Sequence, residues 1–128
     1  MADRKRIVIS AGDVRVEAEL NDSPCAAAIY DALPIDATAN TWGEEIYFKV
    51  DLSFDLADDA SEDVDVGQLG YWPPGKAFCV FFGRTPVSDS SGRPRAASRI
   101  NLVGNVLGNA TVLKSVVDGD TVLVEPGR

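Results

Sequence analysis

Glu44 and Glu45 stand side by side in the segment TWGEEIYF, and carboxylates are the groups in this sequence best suited to general acid–base work. On an extended chain, however, neighbouring residues point to opposite faces, so these two do not act as a pair. Ile46, Phe48 and Val50 form one row of the segment, while Glu45, Tyr47 and Lys49 form the other. Glu44 falls on the side of the apolar row, at its open end beside Trp42. Desolvation there would raise its pKa. The plainer alternative is a rim carboxylate paired with an arginine.

Tyr71 and Trp72 come next, ahead of Pro73-Pro74-Gly75. Two prolines make a rigid turn, and rigid aromatics beside a polar rim form a stacking platform or simply cover one end of the domain. Phe82, Arg84, Arg99 and Asn101 follow within 30 residues. With Trp42, Glu44, Tyr71 and Trp72 they make up the candidate ligand-binding face. No catalytic residue is assigned.

The 128 residues include no histidine. That removes Ser-His-Asp and Cys-His nucleophile activation, histidine zinc motifs and the commonest neutral-pH proton shuttle. Neither a GxxxxGK[ST] nor a GxGxxG phosphate motif occurs. No cofactor and no metal are expected. Residues 51–65 hold seven acids (Asp51, Asp55, Asp58, Asp59, Glu62, Asp63 and Asp65) and no base. They miss the spacing of a calcium loop and read as a solvated acidic loop. The two cysteines, Cys25 and Cys79, read as buried, reduced thiols.

The net charge is −8 and the pI about 4.4. This balance argues against nucleic acid and against an anionic membrane surface as partners. The basic start reads as part of a first strand, not a signal peptide, and a cytoplasmic location is the default expectation.

These residues need elements to position them. Val14, Val16, Ala18 and Leu20 alternate with charges, so a half-buried strand pairs with Ile7–Ser10 across a turn at Ala11-Gly12-Asp13. A helix is expected from Pro24 to Leu33, capped by Asn21, Asp22 or Ser23. Glu44–Val50 is a strand. Ala77–Phe82 is apolar at every position and therefore a central strand covered on both faces. Residues 85–98 read as a long exposed loop, Ile100–Leu107 and Thr121–Glu125 as strands, and Asn109–Val117 as either helix or strand. One domain over residues 1–128 fits the length. So many strands in so short a chain imply a mainly β fold, a sheet closing into a barrel or roll.

TWGEEIYF (Thr41 to Phe48), GQLGYWPPGKAFCVFFGRTP (Gly67 to Pro86) and INLVGNVLG (Ile100 to Gly108) resemble, in order, the motifs of the small single-domain bacterial and archaeal cyclophilin-like family. The resemblance implies a closed eight-stranded antiparallel β-barrel with one or two short helices, and a helix at Asn109–Val117. True cyclophilins isomerise prolyl bonds with an arginine on one barrel strand and a pocket of aromatics and a histidine. The strand that looks equivalent here, Glu44–Val50, has no arginine, and the residues before Ile100 offer only Ser98 and Arg99. The apolar floor, Phe78 to Phe82, is kept in kind. Without a positioned cation, the electrostatic help for a rotation barrier of about 18–20 kcal/mol is missing. The leading expectation is thus a non-catalytic binding module for a small molecule or short peptide. The alternatives are a divergent prolyl isomerase, or a subunit of a larger assembly docking through its acidic and arginine-bearing stretches. The oligomeric state stays open.

Overall fold

The alternating N-terminal segment folds as the expected hairpin. β1 (Arg6–Ala11) and β2 (Val14–Leu20) pair antiparallel with Ala11 opposite Val14, so Gly12 and Asp13 alone make the turn. The computed structural model describes residues 5–127, and the basic Met1-to-Arg4 start lies outside them. Helix α1 (Pro24–Asp31) begins where Ser23 accepts the Ala26 N–H on its hydroxyl at 3.2 Å. It ends two residues before the expected Leu33, because Pro34 cannot donate to it and forces the preceding residue away from helix. Cys25, Ala26 and Ile29 give it one buried face.

The remaining strands are β3 (Ile35–Thr38), β4 (Asn40–Thr41), β5 (Glu45–Lys49), β6 (Ser61–Asp63), β7 (Gln68–Trp72), β8 (Ala77–Phe81), β9 (Arg95–Leu107) and β10 (Thr121–Pro126). They form a mainly antiparallel sheet in the order β3-β10-β1-β2-β9-β7-β8-β5-β4, with β6 paired to β9 off that path. The expected closed, eight-stranded barrel is corrected on both counts. There are ten strands among the described residues, and no ladder joins the two ends of the path. Those ends, β3 and β4, follow one another in the chain with only Ala39 between them. The sheet therefore curls until its end strands meet by chain continuity, where hydrogen bonding does not seal them.

The apolar run Ala77–Phe82 forms the central, doubly covered strand that its unbroken apolar character requires, with β8 ending one residue early, at Phe81. Phe78, Val80 and Phe82 enter the main core with Ile46, Phe48 and Leu69. Phe48 and Phe78 stack there at 5.2 Å, an arrangement worth about 0.5–1.5 kcal/mol beyond burial. Ala77, Cys79 and Phe81 face the other way, into a second cluster with Val64, Ala96 and Ile100. Both cysteines are free and buried.

Two loop expectations change. β9 starts at Arg95, so the loop after β8 is shorter than 85–98, and the strand is 13 residues long. The acidic stretch contributes β6, which pairs with β9. Glu62 bonds Arg95 at 3.1 Å and Asp65 meets Arg93 at 3.2 Å. The acidic and arginine-bearing stretches thus face each other within one chain, through exposed pairs that solvent screens. Asn109–Val117 contains a 3₁₀ helix, Ala110–Ser115, capped by the Asn109 side chain. Among the described residues no helix is long and apolar enough to cross a membrane.

Candidate functional site

The second face of β5 and β8 carries the site. Strand periodicity puts Glu45 and Tyr47 on one side of β5, and Cys79 and Phe81 on the same side of β8. Register sets Glu45 opposite Phe81 and Tyr47 opposite Cys79. The four side chains form a contiguous patch. The first residues of β9, Ala96, Ala97 and Ile100, wall it on one side, and Trp42 and Trp72 close its ends. The result is an open cavity of about 190 Å³. Its lining includes two tryptophans, a tyrosine and a phenylalanine, and one acid.

Trp72 is held on both sides. Its indole N–H donates to Ser98 Oγ at 2.7 Å. Its six-membered ring lies over Gly75, where a Cβ would sit 2.7 Å from Cε3. The YWPPG turn therefore needs glycine at its fifth position to let the ring lie flat. Trp42 is set by the turn between β4 and β5, where its backbone N–H donates to the Glu45 carbonyl at 2.9 Å.

Glu45 is only 5% exposed. Burial pushes its carboxyl from an ordinary 4.5 up to about 7, opposed in part by a hydrogen bond from the Cys79 thiol. Burial also drives the Cys79 thiol well upward, and the neighbouring carboxylate adds to this. None of the described ion pairs involves Glu45. No arginine or lysine lines the cavity among the described residues.

The residues expected to form one face are dispersed by the fold. Trp42 and Trp72 do line the cavity. Glu44 points out of it: one carboxylate oxygen meets Lys114 at 3.2 Å and the other accepts the Arg84 N–H at 3.2 Å. The rim carboxylate is thus paired with a lysine, where the plainer reading had an arginine. Tyr71 is wholly buried in the main core and donates its hydroxyl to the Leu52 carbonyl at 2.6 Å. Phe82 is core as well. Asn101 is 2% exposed and holds the acidic stretch, accepting the Ala57 N–H at 2.7 Å and donating to the Asp55 carbonyl at 2.9 Å. Arg84 is exposed and bonds the Asp89 carbonyl at 3.1 Å. Arg99 is exposed in a separate groove beside Pro73, Pro74 and Leu56.

Glu45, Tyr47, Cys79, Phe81, Ala96, Ala97 and Ile100 are the lining residues that sequence reasoning missed. A signal for the first two existed. A strand apolar on both faces needs cover on both, and a strand paired beside it shares that cover, so the Glu45–Tyr47 row could not face open water.

Comparison with known protein families matches residues 5–125 to the family described as cyclophilin-like. The chain belongs to the cyclophilin-like family. It is similar to a hypothetical protein from Archaeoglobus fulgidus, known from a solution structure, at 40% identity and a TM-score of 0.81. The match covers 97% of this chain and 95% of that one. No curated protein matches. Within this cyclophilin-like sheet, the cavity lies on the outer face of β5 and β8, with the main core on the opposite face.

Proposed function

We propose that this cyclophilin-like domain is a non-catalytic binding module, taking a small molecule or one side chain of a short peptide into the cleft between Trp42, Tyr47 and Trp72. The observation that carries this reading is the cavity itself. It is concave, largely apolar and aromatic, and has one buried polar group at its floor. Its volume, about 190 Å³, is somewhat larger than a cavity of about 150 Å³ that holds benzene. It is smaller than the pockets of about 300–1,000 Å³ that enclose drug-sized ligands. The reading is therefore a compact head group or side chain and not a nucleotide-sized cofactor.

The alternative, a divergent prolyl isomerase, lacks support from the cleft. Polarising a prolyl amide nitrogen calls for a cation, and the described lining supplies a carboxyl group in place of one. A protease-coupled assay on an Ala-Pro peptide separates the two readings. Binding without acceleration at micromolar protein is the expected result.

The binding reading is tested by a fragment screen followed by NMR. Hits should shift the Trp42 and Trp72 indole signals, and Trp72→Ala should lose them while keeping a dispersed, folded spectrum. Fragments that bind equally well to Trp72→Ala would move the site elsewhere.

A further inference from the structure

We infer that the cleft is built for a compact organic cation, a methylated ammonium group that sets its charge against Glu45 and its methyls against Trp42, Tyr47 and Trp72. The inference rests on the binding reading above and narrows it to one ligand chemistry.

A carboxylate that is 5% exposed and unpaired by any described cation is costly to keep charged. By contrast, Glu44, Glu62 and Asp65 each meet a lysine or arginine. Glu45 is the buried acid whose counter-charge the described residues do not supply. It also sits in the cavity where the aromatics gather. The faces of tryptophan and tyrosine attract cations through their ring quadrupoles, and such aromatic cages are the recognised receptors for quaternary ammonium groups. An acid at the floor and aromatics around it favour the same ligand for two independent reasons.

Methylation follows from the shortage of acceptors. A bare ammonium brings three strong donors and a tight hydration shell. The cavity lining gives it little besides one carboxyl to bond. A methylated nitrogen has fewer donors to satisfy and apolar surface to bury, which suits walls of Ala96, Ala97 and Ile100. A net charge of −8 enriches cations near the surface and helps their approach. An un-ionised Glu45 could instead donate to a neutral acceptor, so neutral and charged ligands of one shape are the decisive pair.

Isothermal titration at pH 8 with choline and with 3,3-dimethyl-1-butanol, its neutral isostere, makes that comparison. Choline should bind about tenfold tighter or more, the scale of a desolvated cation–aromatic contact. Glu45→Gln, nearly isosteric, should narrow the preference for choline by about threefold or more while leaving the fold intact, the remainder being what the aromatics supply. A second arm uses N-acetyl-trimethyllysine amide: tighter binding than choline points to a peptide side chain, and weaker binding to a free small molecule, both within the proposed chemistry. Equal affinity for choline and the neutral alcohol would overturn the cation inference and leave the binding cleft standing. Binding of neither would also overturn it. The broader reading would then fall only if the fragment screen, too, left the Trp42 and Trp72 indole signals unmoved.

Discussion

Trp72 on β7 and Ser98 on β9 are joined by a 2.7 Å hydrogen bond from the indole N–H to the serine hydroxyl. This fixes an aromatic end of the cleft to the strand that forms its wall. Ser98→Ala should remove the acceptor and cost about 1 kcal/mol in urea unfolding, since the half-buried indole can turn to water. The Trp72 indole N–H resonance should move upfield, and cleft ligands should bind more weakly. An unmoved resonance would mean the bond is not held in solution.

Asn101 is a structural clamp. Its side chain makes one bond to the Ala57 N–H and one to the Asp55 carbonyl, 44 and 46 residues away. Asn101→Ala should cost about 1–2 kcal/mol, because two part-buried backbone groups, the Ala57 N–H and the Asp55 carbonyl, lose their partners. Residues 52–60 should become sensitive to limited proteolysis. Loss of ligand binding with unchanged stability would instead return Asn101 to the binding face.

Glu45 makes stability depend on pH in an uncommon direction. Its carboxyl is raised from 4.5 to about 7 in the folded protein. Between those values the native state keeps a proton that the unfolded chain releases. Stability should therefore fall as pH rises from about 5 to 8, by up to about 3 kcal/mol. Asp118, lowered by the bonds from Thr41, acts at the acid end, where its contribution is lost as pH falls. Comparing Glu45→Gln with the parent isolates Glu45: the variant's melting temperature should be flatter over pH 5–8 and higher at pH 8. Parallel curves for the two proteins would refute the assignment.

Gly104 marks where β9 passes closest to β2. A Cβ there would press into the Glu19 carbonyl oxygen and lie 2.9 Å from Leu20 Cα, both backbone atoms that cannot turn aside. Gly104→Ala should separate β9 from β2 and destabilise by about 2–3 kcal/mol, within the range of overpacking changes. Denaturant midpoints measure it directly. A change under 0.5 kcal/mol, the scale of an inert surface substitution, would show that the strands part easily.

The fold was largely legible because period two and apolar runs are local signals. The first hairpin and the doubly covered strand Ala77–Phe81 needed nothing more. β3 and β6 were not legible, since Ile35–Thr38 and Ser61–Asp63 are short and carry acids, and only their partners β10 and β9 make them strands. The start of β9 hid in a stretch rich in arginine and serine. The site was half legible. Trp42 and Trp72 stand out by type, but the row Ile46–Phe48–Val50 by itself marks a single buried face and so points to Glu44 in place of Glu45. Which carboxylate is desolvated depends on what covers the outer face, and that cover comes from β9, some fifty residues on. The structural roles of Tyr71 and Asn101 are hidden for the same reason: their partners, Leu52, Asp55 and Ala57, lie in a stretch that sequence alone reads as open loop.

β9 contributes Val103 and Val106 to the main core and Ala96 and Ile100 to the second cluster. One continuous strand thus belongs to both hydrophobic units, and neither can come apart while the other keeps its half of that strand in place. Amide protons along β9 should share a common exchange rate set by global opening, and a ligand seated in the cleft would slow exchange in β2, the strand paired to the other edge of β9.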